Sequence, residues 1–289
     1  MRILLTGGTG YIGSAVLDAL TGAGHEVVAV VRNARAAERV AARGATALEG
    51  DLTDAAWFAQ ALDGVDGAIH TAVPDEGAPE FNETVVDAAI RAFGHGGRRF
   101  VLTSGVWEYG SGADLDDDGP LDPPSLVAWR VPQEERLLAS GVDAAIVAPG
   151  IVYGHGHGRG LVGLVTDAPR TESGALRLVG DGTQHWTFVH VDDLARLYLA
   201  VLEHDGTLGR VIGSDGSPTT VRELAESVAD AAGVAPEPAD ATRERLGAAF
   251  ADALLLDQDA RGAKARSLGW IPEHTGVLDE VRATRAEAA

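Results

Sequence analysis

The chain has no cysteine and a single lysine among its 289 residues. Without cysteine it has no disulfide, no thiolate metal ligand and no cysteine nucleophile, and it suits a reducing compartment. The lone lysine is Lys264, near the C-terminal end. Any mechanism that needs a lysine side chain must therefore use Lys264.

Long apolar runs and basic residues are also scarce. No apolar run approaches the roughly 20 residues of a membrane span, and the apolar residues before the first glycines are too few for a signal peptide. Acidic residues outnumber basic ones by 43 to 23, and the net charge of −20 repels nucleic acid and anionic membranes. We expect a soluble, cytoplasmic protein whose partner is a small-molecule substrate rather than nucleic acid or a membrane.

What the chain does contain is a regular alternation of short apolar runs and helical segments. Its hydrophobic residues, 45% of the total, can supply a substantial core. Strand-like runs such as RILLTG and DAAIVAPG alternate with helix-like segments, which predicts repeated βαβ units. The predicted helices cover residues 12–22, 34–42, 54–62, 80–93 and 128–140. The predicted fold class is α/β, with a doubly wound parallel sheet.

After Gly150 the segments become shorter and richer in glycine. The run TFVHVDDLARLYLAVLEH predicts a short strand followed by a helix, with Asp192 or Asp193 as the helix cap. GRVIGSDG predicts a further strand, and TTVRELAESVADAAGV an amphipathic helix capped by Thr219 or Thr220. We expect these segments to build a smaller C-terminal part of the molecule.

One motif at the N-terminus is specific. Gly7, Gly10 and Gly13 follow an apolar strand and open an apolar-periodic helix. In this context one glycine makes a tight turn, another lets the backbone approach a pyrophosphate, and the third lets the helix pack closely on the strand. The free N–H groups and partial positive charge of the helix N-terminus attract that anion. The motif therefore predicts a bound dinucleotide.

Two residues further along bear on which dinucleotide binds. Arg32 ends the second strand, where an arginine can pair with the 2′-phosphate of NADP; alternatively, it stacks on adenine or faces solvent. Asp51 follows a short strand and either accepts a hydrogen bond from the adenine amino group or caps the next helix. We predict NADP(H) as the preferred cofactor, with NAD(H) as the alternative.

The segments TGGTGYIG, GDLTD, IHTAV, VLTSGVWEYG, APGIVYG and FVHVDDLA occur in this order. In content and spacing they resemble the extended and atypical short-chain dehydrogenase/reductase superfamily, the NAD-dependent epimerase/dehydratase-like group of enzymes. The resemblance covers about residues 1–215. It implies a Rossmann domain over residues 1–150, rejoined by about 186–213, and a smaller substrate-binding part over residues 151–185 and 214–289.

The resemblance also implies which residues bind the cofactor. His70 would line the nicotinamide ribose together with the two residues that follow it. From the pyrophosphate through adenosine to the nicotinamide, the predicted set is Gly7, Gly10, Tyr11, Ile12 and Gly13; Arg32, Asp51 and Leu52; and Thr71, Ala72, Thr103, Pro149, Ile151 and Val152.

The catalytic pair that this superfamily uses is absent. Its members combine a Ser or Thr with a Tyr-x-x-x-Lys pair, in which Tyr passes a proton and Lys lowers the pKa of that Tyr. No tyrosine stands four residues before Lys264, so the pair cannot form here. In SLVAWRVPQEERLLAS one alignment puts Trp129 and Gln133 at the two positions, and another puts Val127 and Val131 there. Another group must protonate the substrate.

Four side chains are candidates for that role. Tyr153 follows the segment expected beside the nicotinamide, in a glycine-rich loop that can adapt to a ligand, although packing is its alternative role. Tyr109, with Glu108 beside it, lies after the fourth strand near the same crevice. Ser104 stands one place before the usual Ser/Thr position, and strand alternation normally turns such a residue away. His157 lies on the loop after Tyr153.

The predicted substrate-binding residues are Trp107, Trp129, Arg130, His155 and His185. Arg130 either binds an anionic substrate group or forms an i,i+4 salt bridge with Glu134. The spacing of His155 and His157 can suit a metal, but no third ligand is evident, and we predict no metal site. The acidic run DLDDDG lacks the glutamate that ends a calcium loop, and we predict an acidic surface loop.

The sequence thus favours an NADP-dependent reductase of a small carbonyl, imine or conjugated alkene, because imine and alkene reduction have less need of a stabilised alkoxide. Two alternatives stay open. One is an isomerase, lyase or cyclase that binds NAD(P) without net redox change, and the other is a regulator that senses the dinucleotide. Relatives often pair through two helices of the Rossmann domain, so a homodimer is expected.

Overall fold

The computed structural model describes residues 1–94, 96–155 and 160–288. A 3₁₀ helix, Val106–Tyr109, lies within the first 150 residues. The other elements of this region are β1 (Arg2–Thr6), α1 (Tyr11–Gly22), β2 (Glu26–Val31), α2 (Ala34–Ala41), β3 (Thr46–Glu49), α3 (Ala55–Asp63), β4 (Gly67–His70), α4 (Ala78–Phe93), β5 (Arg99–Thr103), β6 (Gly112–Leu115), α5 (Arg130–Leu138) and β7 (Asp143–Pro149).

The rest of the chain forms many short strands and a further series of helices. They are β8 (Ile151–Tyr153), α6 (Leu161–Thr166), β9 (Leu176–Arg177), β10 (His185–Trp186), β11 (Phe188–His190), α7 (Val191–Glu203), β12 (Gly209–Gly213), β13 (Thr219–Thr220), α8 (Val221–Glu226), β14 (Val234–Ala235), α9 (Ala239–Leu246), α10 (Ala248–Leu254), β15 (Gln258–Ala260), α11 (Ala263–Ser267) and α12 (Val277–Ala288). Among the described helices, none combines the length and apolar character that crossing a bilayer requires.

A seven-stranded parallel sheet forms the centre of the molecule, in the order β12-β7-β5-β4-β1-β2-β3. Its inner strands are largely apolar, as strands covered on both faces require; Ile3, Leu4 and Leu5 of β1, for example, are completely buried. The edge strand β3 is only partly buried. One apolar cluster joins α1 and α7 to the sheet, and a second joins α3, α4 and α5 to it. The predicted α/β fold with a doubly wound parallel sheet is confirmed.

The five helices predicted in the first 150 residues are present, with ends shifted by at most two residues. Two of them are capped by side chains. The Asn33 side chain accepts the N–H of Ala36 at the start of α2. The Asp54 carboxylate accepts two N–H groups in the first turn of α3. Asp54 therefore caps this helix, and Asp51 does not.

The predicted cap of α7 is wrong. The N-cap is His190, whose ring Nδ1 accepts the N–H of Asp192 at 3.2 Å. Asp193 lies one turn too deep to cap the helix, and its buried carboxylate instead accepts the N–H groups of Glu273 and His274. The acidic side chain thus fixes the C-terminal segment rather than the helix end.

Helix α8 has the predicted cap but a different length. Thr220 and Glu223 form a capping box, in which each side chain bonds the backbone N–H of the other residue. The helix ends at Glu226, well before the end of the predicted segment. The chain turns there because Val234 pairs with β9 in a short parallel bridge.

The smaller C-terminal part has its own apolar core. Short strand pairs, including β8 with β11 and β9 with β14, surround it. Trp186, Phe188 and Leu224 are almost completely buried at its centre, and α6, α8, α10 and α12 contribute further side chains. Trp107 packs against this core from the segment after β5, so the two parts of the molecule meet beside the carboxyl edge of the main sheet.

The acidic run predicted as a surface loop is partly buried. Asp117 is 3% exposed, and its carboxylate accepts the backbone N–H groups of Ile212 and Lys264 at 2.6 and 3.1 Å. The Lys264 ammonium pairs with Asp118 and donates to the Leu208 carbonyl. The one lysine therefore serves a structural contact that holds this loop against β12.

Candidate active site

The glycine loop connects β1 to α1, and it depends on missing side chains. Gly7 has a φ of +73°, in the left-handed region that favours glycine. A Cβ on Gly13 would lie 2.1 Å from the Gly7 carbonyl oxygen, so only glycine lets α1 approach so closely. A Cβ on Gly10 would meet only that same oxygen within 4 Å of the described atoms, at 3.2 Å. Gly7 thus makes the turn, Gly13 allows the close packing of α1, and Gly10 leaves the approach to the helix N-terminus open.

The first turn of α1 suits an anion. Gly10 is the N-cap in an extended conformation, with no side chain over the helix end and no acidic residue in the first turn. Ile12 packs against the core below, and the Tyr11 hydroxyl donates to the Gly154 carbonyl at 2.9 Å, which ties the helix start to the loop after β8. The exposed N–H groups and partial positive charge fit the pyrophosphate of a dinucleotide.

Two arginines flank the glycine loop on its β2 side. Arg32 is exposed directly after β2. Arg39, on α2, donates to the Thr9 carbonyl at 2.8 Å and so lies against the loop itself. Sequence reasoning missed Arg39, whose only signal is its place on the helix that directly follows β2. Together these guanidinium groups provide positive charge beside the loop.

Asp51 and Leu52 follow β3 at the same end of the sheet. Asp51 is exposed, and its Oδ1 accepts the Thr53 N–H at 2.9 Å. This hydrogen bond from the Thr53 backbone lowers the pKa of the Asp51 carboxyl. Leu52 packs partly against the second apolar cluster. Their contact with adenine stays a prediction.

The segment after β4 packs directly on the glycine loop. The Thr71 hydroxyl donates to the Thr6 carbonyl at 2.8 Å, and it would lie 2.6 Å from a Cβ on Gly7. The Ala72 N–H lies 3.4 Å from the Thr6 hydroxyl. His70 is buried beneath them, and burial, with a smaller effect of nearby positive charge, lowers its pKa to about 3. Its ring is therefore neutral.

A cavity of about 280 Å³ lies beside the ends of β5 and β7. The carboxyl ends of parallel strands meet at one edge of a sheet, so this cavity shares an edge with the glycine loop, as ligand sites of such sheets do. The polar residues that line it are Ser104, Arg130 and Glu108, and the Glu108 carboxyl group is buried in its wall. The other described residues that line it are Gly105, Val106, Trp107, Val127, Pro149, Gly150, Ile151, Val152 and Leu161.

Thr103 and Ser104 face opposite ways. The Thr103 hydroxyl donates to the His70 carbonyl and bonds the Tyr198 hydroxyl, each at 2.7 Å, inside the sheet. Ser104 lines the cavity instead. Strand alternation accounts for this difference, because the Ser104 N–H still donates to the Val147 carbonyl of β7 at 2.8 Å and so continues the strand by one residue.

The residues expected at the Tyr-x-x-x-Lys positions point in two directions. Gln133 turns toward α4, where it accepts from Asn82 Nδ2 at 2.7 Å and donates to the Pro79 carbonyl at 3.0 Å. Val127 lines the cavity. The alignment through Val127 therefore agrees with this geometry better than the alignment through Trp129 does.

Arg130 is the cationic group of the cavity. Its guanidinium stacks over the Trp129 ring, 4.6 Å from the centroid, and donates to the Thr103 carbonyl at 3.3 Å. Trp129 itself is not among the described residues that line the cavity. The alternative salt bridge from Arg130 to Glu134 is not formed, because Glu134 pairs with Arg210 at 3.2 Å. Arg130 thus faces the cavity.

Two buried glutamates lie behind Ser104. Glu108 and Glu134 are each 1% exposed, and the Ser104 hydroxyl donates to Glu108 Oε1. Burial and, next, the neighbouring Glu134 carboxylate raise the pKa of Glu108 to about 8. Burial also raises the pKa of Glu134. Sequence reasoning placed Glu108 near the crevice but gave Glu134 no role beyond the salt bridge to Arg130.

The two predicted catalytic tyrosines have their hydroxyls elsewhere. The Tyr153 hydroxyl lies 3.3 Å from Asp215 Oδ2 and 3.3 Å from the His274 carbonyl, inside the C-terminal part. The Tyr109 hydroxyl donates to the Asp117 carbonyl at 3.0 Å. Burial raises the pKa of both tyrosines, and neither is among the described residues that line the cavity. The geometry favours Ser104 over either hydroxyl.

The predicted histidines are spread over different places. His185 pairs with Asp257 at 2.9 Å on the C-terminal part. His155 pairs with Asp192 at 2.8 Å and lines a separate polar cavity between α1 and α7. His157 lies outside the described residues. Neither His155 nor His185 is among the described residues around the cavity beside Ser104.

A further group, His190, Asp192 and His274, brings three possible metal-ligand atoms within 4.8 Å of one another. The rings of His190 and His274, however, stack with centroids 3.8 Å apart and an angle of 16°. Imidazole binds a metal through a lone pair in the plane of its ring, and two stacked planes cannot direct such lone pairs at one ion. This arrangement does not suit a metal.

The sequence profile of the NAD dependent epimerase/dehydratase family matches residues 3–212 of the chain. The 3-diazoavenalumate denitrifying reductase of a Streptomyces species is 32% identical, over 96% of this chain and 98% of its own. The 2-alkyl-3-oxoalkanoate reductase of Stenotrophomonas maltophilia is 29% identical, over 81% of this chain and 76% of its own. The structure of human epimerase family protein SDR39U1 with NADPH is similar, with a TM-score of 0.70, 21% identity and 99% of each chain covered. This chain belongs to the NAD dependent epimerase/dehydratase family.

Proposed function

We propose that this protein is an NADPH-dependent reductase of small, largely apolar carbonyl, imine or conjugated alkene compounds. The observation that carries the proposal is the cavity beside Ser104, with a volume of about 280 Å³ and mostly apolar walls. Small-molecule sites typically enclose about 300–1,000 Å³. The cavity volume is just below that range, so the cavity suits a compact substrate better than a nucleotide sugar. The similarity to the two reductases named above supports the same class of reaction.

The preference for NADPH rests on the arginines beside the glycine loop. Arg32 stands where an acidic residue would select the 2′-hydroxyl of NAD, and its guanidinium is exposed. Arg39 adds a second guanidinium, held on the Thr9 carbonyl. A fork of N–H donors matches a 2′-phosphate in shape and charge. When bound, NADPH supplies the hydride that reduces the substrate.

The chain's own residues supply the rest of the site. The Tyr-x-x-x-Lys pair is absent, so we assign protonation of the substrate to Ser104, which faces the cavity. Arg130 orients the electron-rich end of the substrate, and Trp107 walls the apolar end. Tyr109 and Tyr153 are assigned to packing, because their hydroxyls bond interior groups.

The proposal is tested with purified protein, NADPH and a panel of aromatic aldehydes, cyclic imines and enones. Oxidation of NADPH that depends on one of these compounds supports it. Conversion of a compound while the NADPH absorbance stays constant would show a non-redox enzyme and contradict the proposal. Tight binding of NADPH with no conversion of any compound would also contradict it, in favour of a dinucleotide sensor.

Cofactor choice has its own test. Arg32→Asp is expected to shift the preference from NADPH to NADH, because the carboxylate repels the 2′-phosphate and accepts from the 2′-hydroxyl. Arg39→Ala is expected to weaken NADPH binding about tenfold or more, which corresponds to a lost charged hydrogen bond, and to leave NADH binding nearly unchanged. Titration calorimetry with both cofactors measures this, and unchanged NADPH affinity in both variants contradicts the assignment.

A further inference from the structure

Two buried carboxyl groups behind the cavity have more acceptor atoms than donors. Glu108 Oε2 and both carboxyl oxygens of Glu134 are enclosed, and no donor among the described residues makes an aligned hydrogen bond to them. An ionised carboxylate can only accept hydrogen bonds, and a buried one without donors is costly. The two carboxyl groups lie within reach of each other. A proton on one of them would supply the missing donor.

The charges packed around this pair favour one carboxylate and one carboxylic acid. Arg210, on β12, lies 3.2 Å from Glu134 Oε2. The positive charge of Arg130, on the same helix as Glu134, acts to lower the pKa of both glutamates. Two further groups near the glutamates already have other partners. The Tyr109 hydroxyl donates to the Asp117 carbonyl, and the Asp117 carboxylate accepts two backbone N–H groups. The pairing of Glu134 with Arg210 marks Glu134 as the ionised member.

We propose that Glu108 carries a transferable proton, held there by the adjacent ionised Glu134, and passes it through the Ser104 hydroxyl to the bound substrate. The geometry of the pathway is continuous, because Ser104 bonds Glu108 Oε1 and also lines the cavity. The inference rests on the proposed reductase function. Ser104 is the catalytic residue, Glu108 resupplies it, and Glu134 is a positioning residue.

The reaction balances as follows for a carbonyl substrate. The carbonyl carbon gains the hydride from the cofactor, and the electron pair of the C=O π bond moves to the oxygen. The Ser104 hydroxyl turns from Glu108 Oε1 to that oxygen and gives it its proton. Glu108 turns its own proton from Glu134 to Ser104 Oγ, which takes it, and Glu108 becomes a carboxylate. Water returns one proton to Glu108 between turnovers. The net change is one hydride and one proton added to the substrate.

The electrostatics agree with this assignment. Burial and Glu134 together raise the pKa of Glu108 to about 8, so Glu108 holds its proton at neutral pH. Ser104 and Arg130 act in the opposite sense, which keeps the proton exchangeable. An acid is most effective when its pKa lies near the working pH.

The first test compares three variants on the substrate found in the panel. Glu108→Gln keeps the shape of the side chain but has no acidic proton, and we expect kcat to fall by about 10²- to 10⁴-fold with NADPH affinity unchanged. For Ser104→Ala we expect a fall in kcat of similar size. Glu135→Gln is the matched control, because Glu135 is an exposed glutamate on α5, next to the buried Glu134. A Glu108→Gln variant that is folded and keeps its kcat would overturn the relay while leaving the reductase function intact.

The second test separates positioning from simple structural support. In the wild type, kcat/KM is expected to fall as pH rises through about 8, as Glu108 loses its proton. Glu134→Gln removes the neighbouring negative charge, so the fall should move to lower pH. If Glu134 were only a structural support, Glu134→Gln would lower kcat but leave the fall of kcat/KM at the same pH. Glu135→Gln should leave the profile in place.

The third test needs no substrate. Infrared spectra of the protein without cofactor should show a protonated carboxylic acid that persists well above the ordinary glutamate pKa of 4.5 and titrates near 8. The band should vanish in Glu108→Gln and remain in Glu135→Gln. If the wild type lacks the band at neutral pH, the relay is overturned even when the protein reduces a panel compound. If the band is present but no compound is reduced, the reductase function fails, and the relay fails with it.

Discussion

The proposed cofactor end and the proposed substrate end of the crevice are built in different ways. At the glycine loop, the decisive features are the turn at Gly7 and the absence of side chains at Gly10 and Gly13, all within seven consecutive residues. At the cavity, the decisive features are polar side chains from distant segments: Ser104, Glu108, Glu134 and Arg210. A site made from backbone follows local sequence, whereas a site made from side chains depends on which segments the fold brings together.

Solvent exposure also differs between the two ends, and it reverses the behaviour of carboxyl groups. Asp51 is exposed beside the glycine loop, and a backbone hydrogen bond lowers its pKa. Glu108 is enclosed behind the cavity, and burial raises its pKa. The same functional group is thus a fixed charge at the cofactor end and a proton carrier at the substrate end.

The largest expected effect on cofactor binding comes from a change at the glycine loop alone. Gly10→Leu places a side chain in the open approach to the loop, where a Cβ meets one atom at 3.2 Å. We expect the fold to persist and NADPH affinity to drop about a hundredfold, the effect of roughly 3 kcal/mol of overlap. Fluorescence titration measures the affinity, and circular dichroism checks the fold. Full retention of NADPH binding would show that the pyrophosphate does not bind here.

Gly13→Ala acts on the same loop by a different route. Its Cβ would lie 2.1 Å from the Gly7 carbonyl oxygen, so α1 must move away from the loop. We expect the free energy of unfolding to fall by about 1–3 kcal/mol, measured by urea denaturation. If Gly13→Ala and Gly10→Leu had the same free energy of unfolding, Gly13 would have no special role in packing α1 on the loop.

At the substrate end, the pH dependence of the free energy of unfolding tests whether Glu108 is protonated. The Glu108 pKa is 4.5 when the side chain is solvated and about 8 in the fold. Between these values the folded protein keeps a proton that the unfolded chain releases, so this group's contribution to stability falls as pH rises, by up to about 1.4 kcal/mol per pH unit. Glu108→Gln should remove that part of the slope. Urea denaturation of both proteins across this window measures it, and identical slopes would contradict a protonated Glu108.

The smallest expected effect concerns Tyr153. Tyr153→Phe removes a hydroxyl that lies 3.3 Å from Asp215 in the C-terminal part, and we expect a loss of about 1 kcal/mol in the free energy of unfolding. The kcat for the panel substrate should change much less than in Glu108→Gln. A loss of about 10²-fold or more in kcat would instead identify Tyr153 as the acid.

Regular elements were predictable because their signals are local. The periodicity of apolar residues places the five helices before residue 150 within two residues of their ends, and continuous apolar runs mark strands buried on both faces. One miss is a local cap that the residue types do not suggest, and another is a contact made across the fold. His190 caps α7 although aspartates follow it, and Arg39 reaches the loop carbonyl of Thr9 from a neighbouring helix.

The sequence by itself determined the parallel sheet, the glycine loop and the absence of a Tyr-x-x-x-Lys pair, because each follows from residue order over a short span. Only the tertiary structure decided that Ser104 faces the cavity and that Glu108 and Glu134 meet behind it. Glu108 and Glu134 are 26 positions apart in the sequence, and no helix or strand periodicity relates two residues at that distance. The shifted pKa of Glu108 arises from enclosure by other segments, and enclosure is a property of the packed fold.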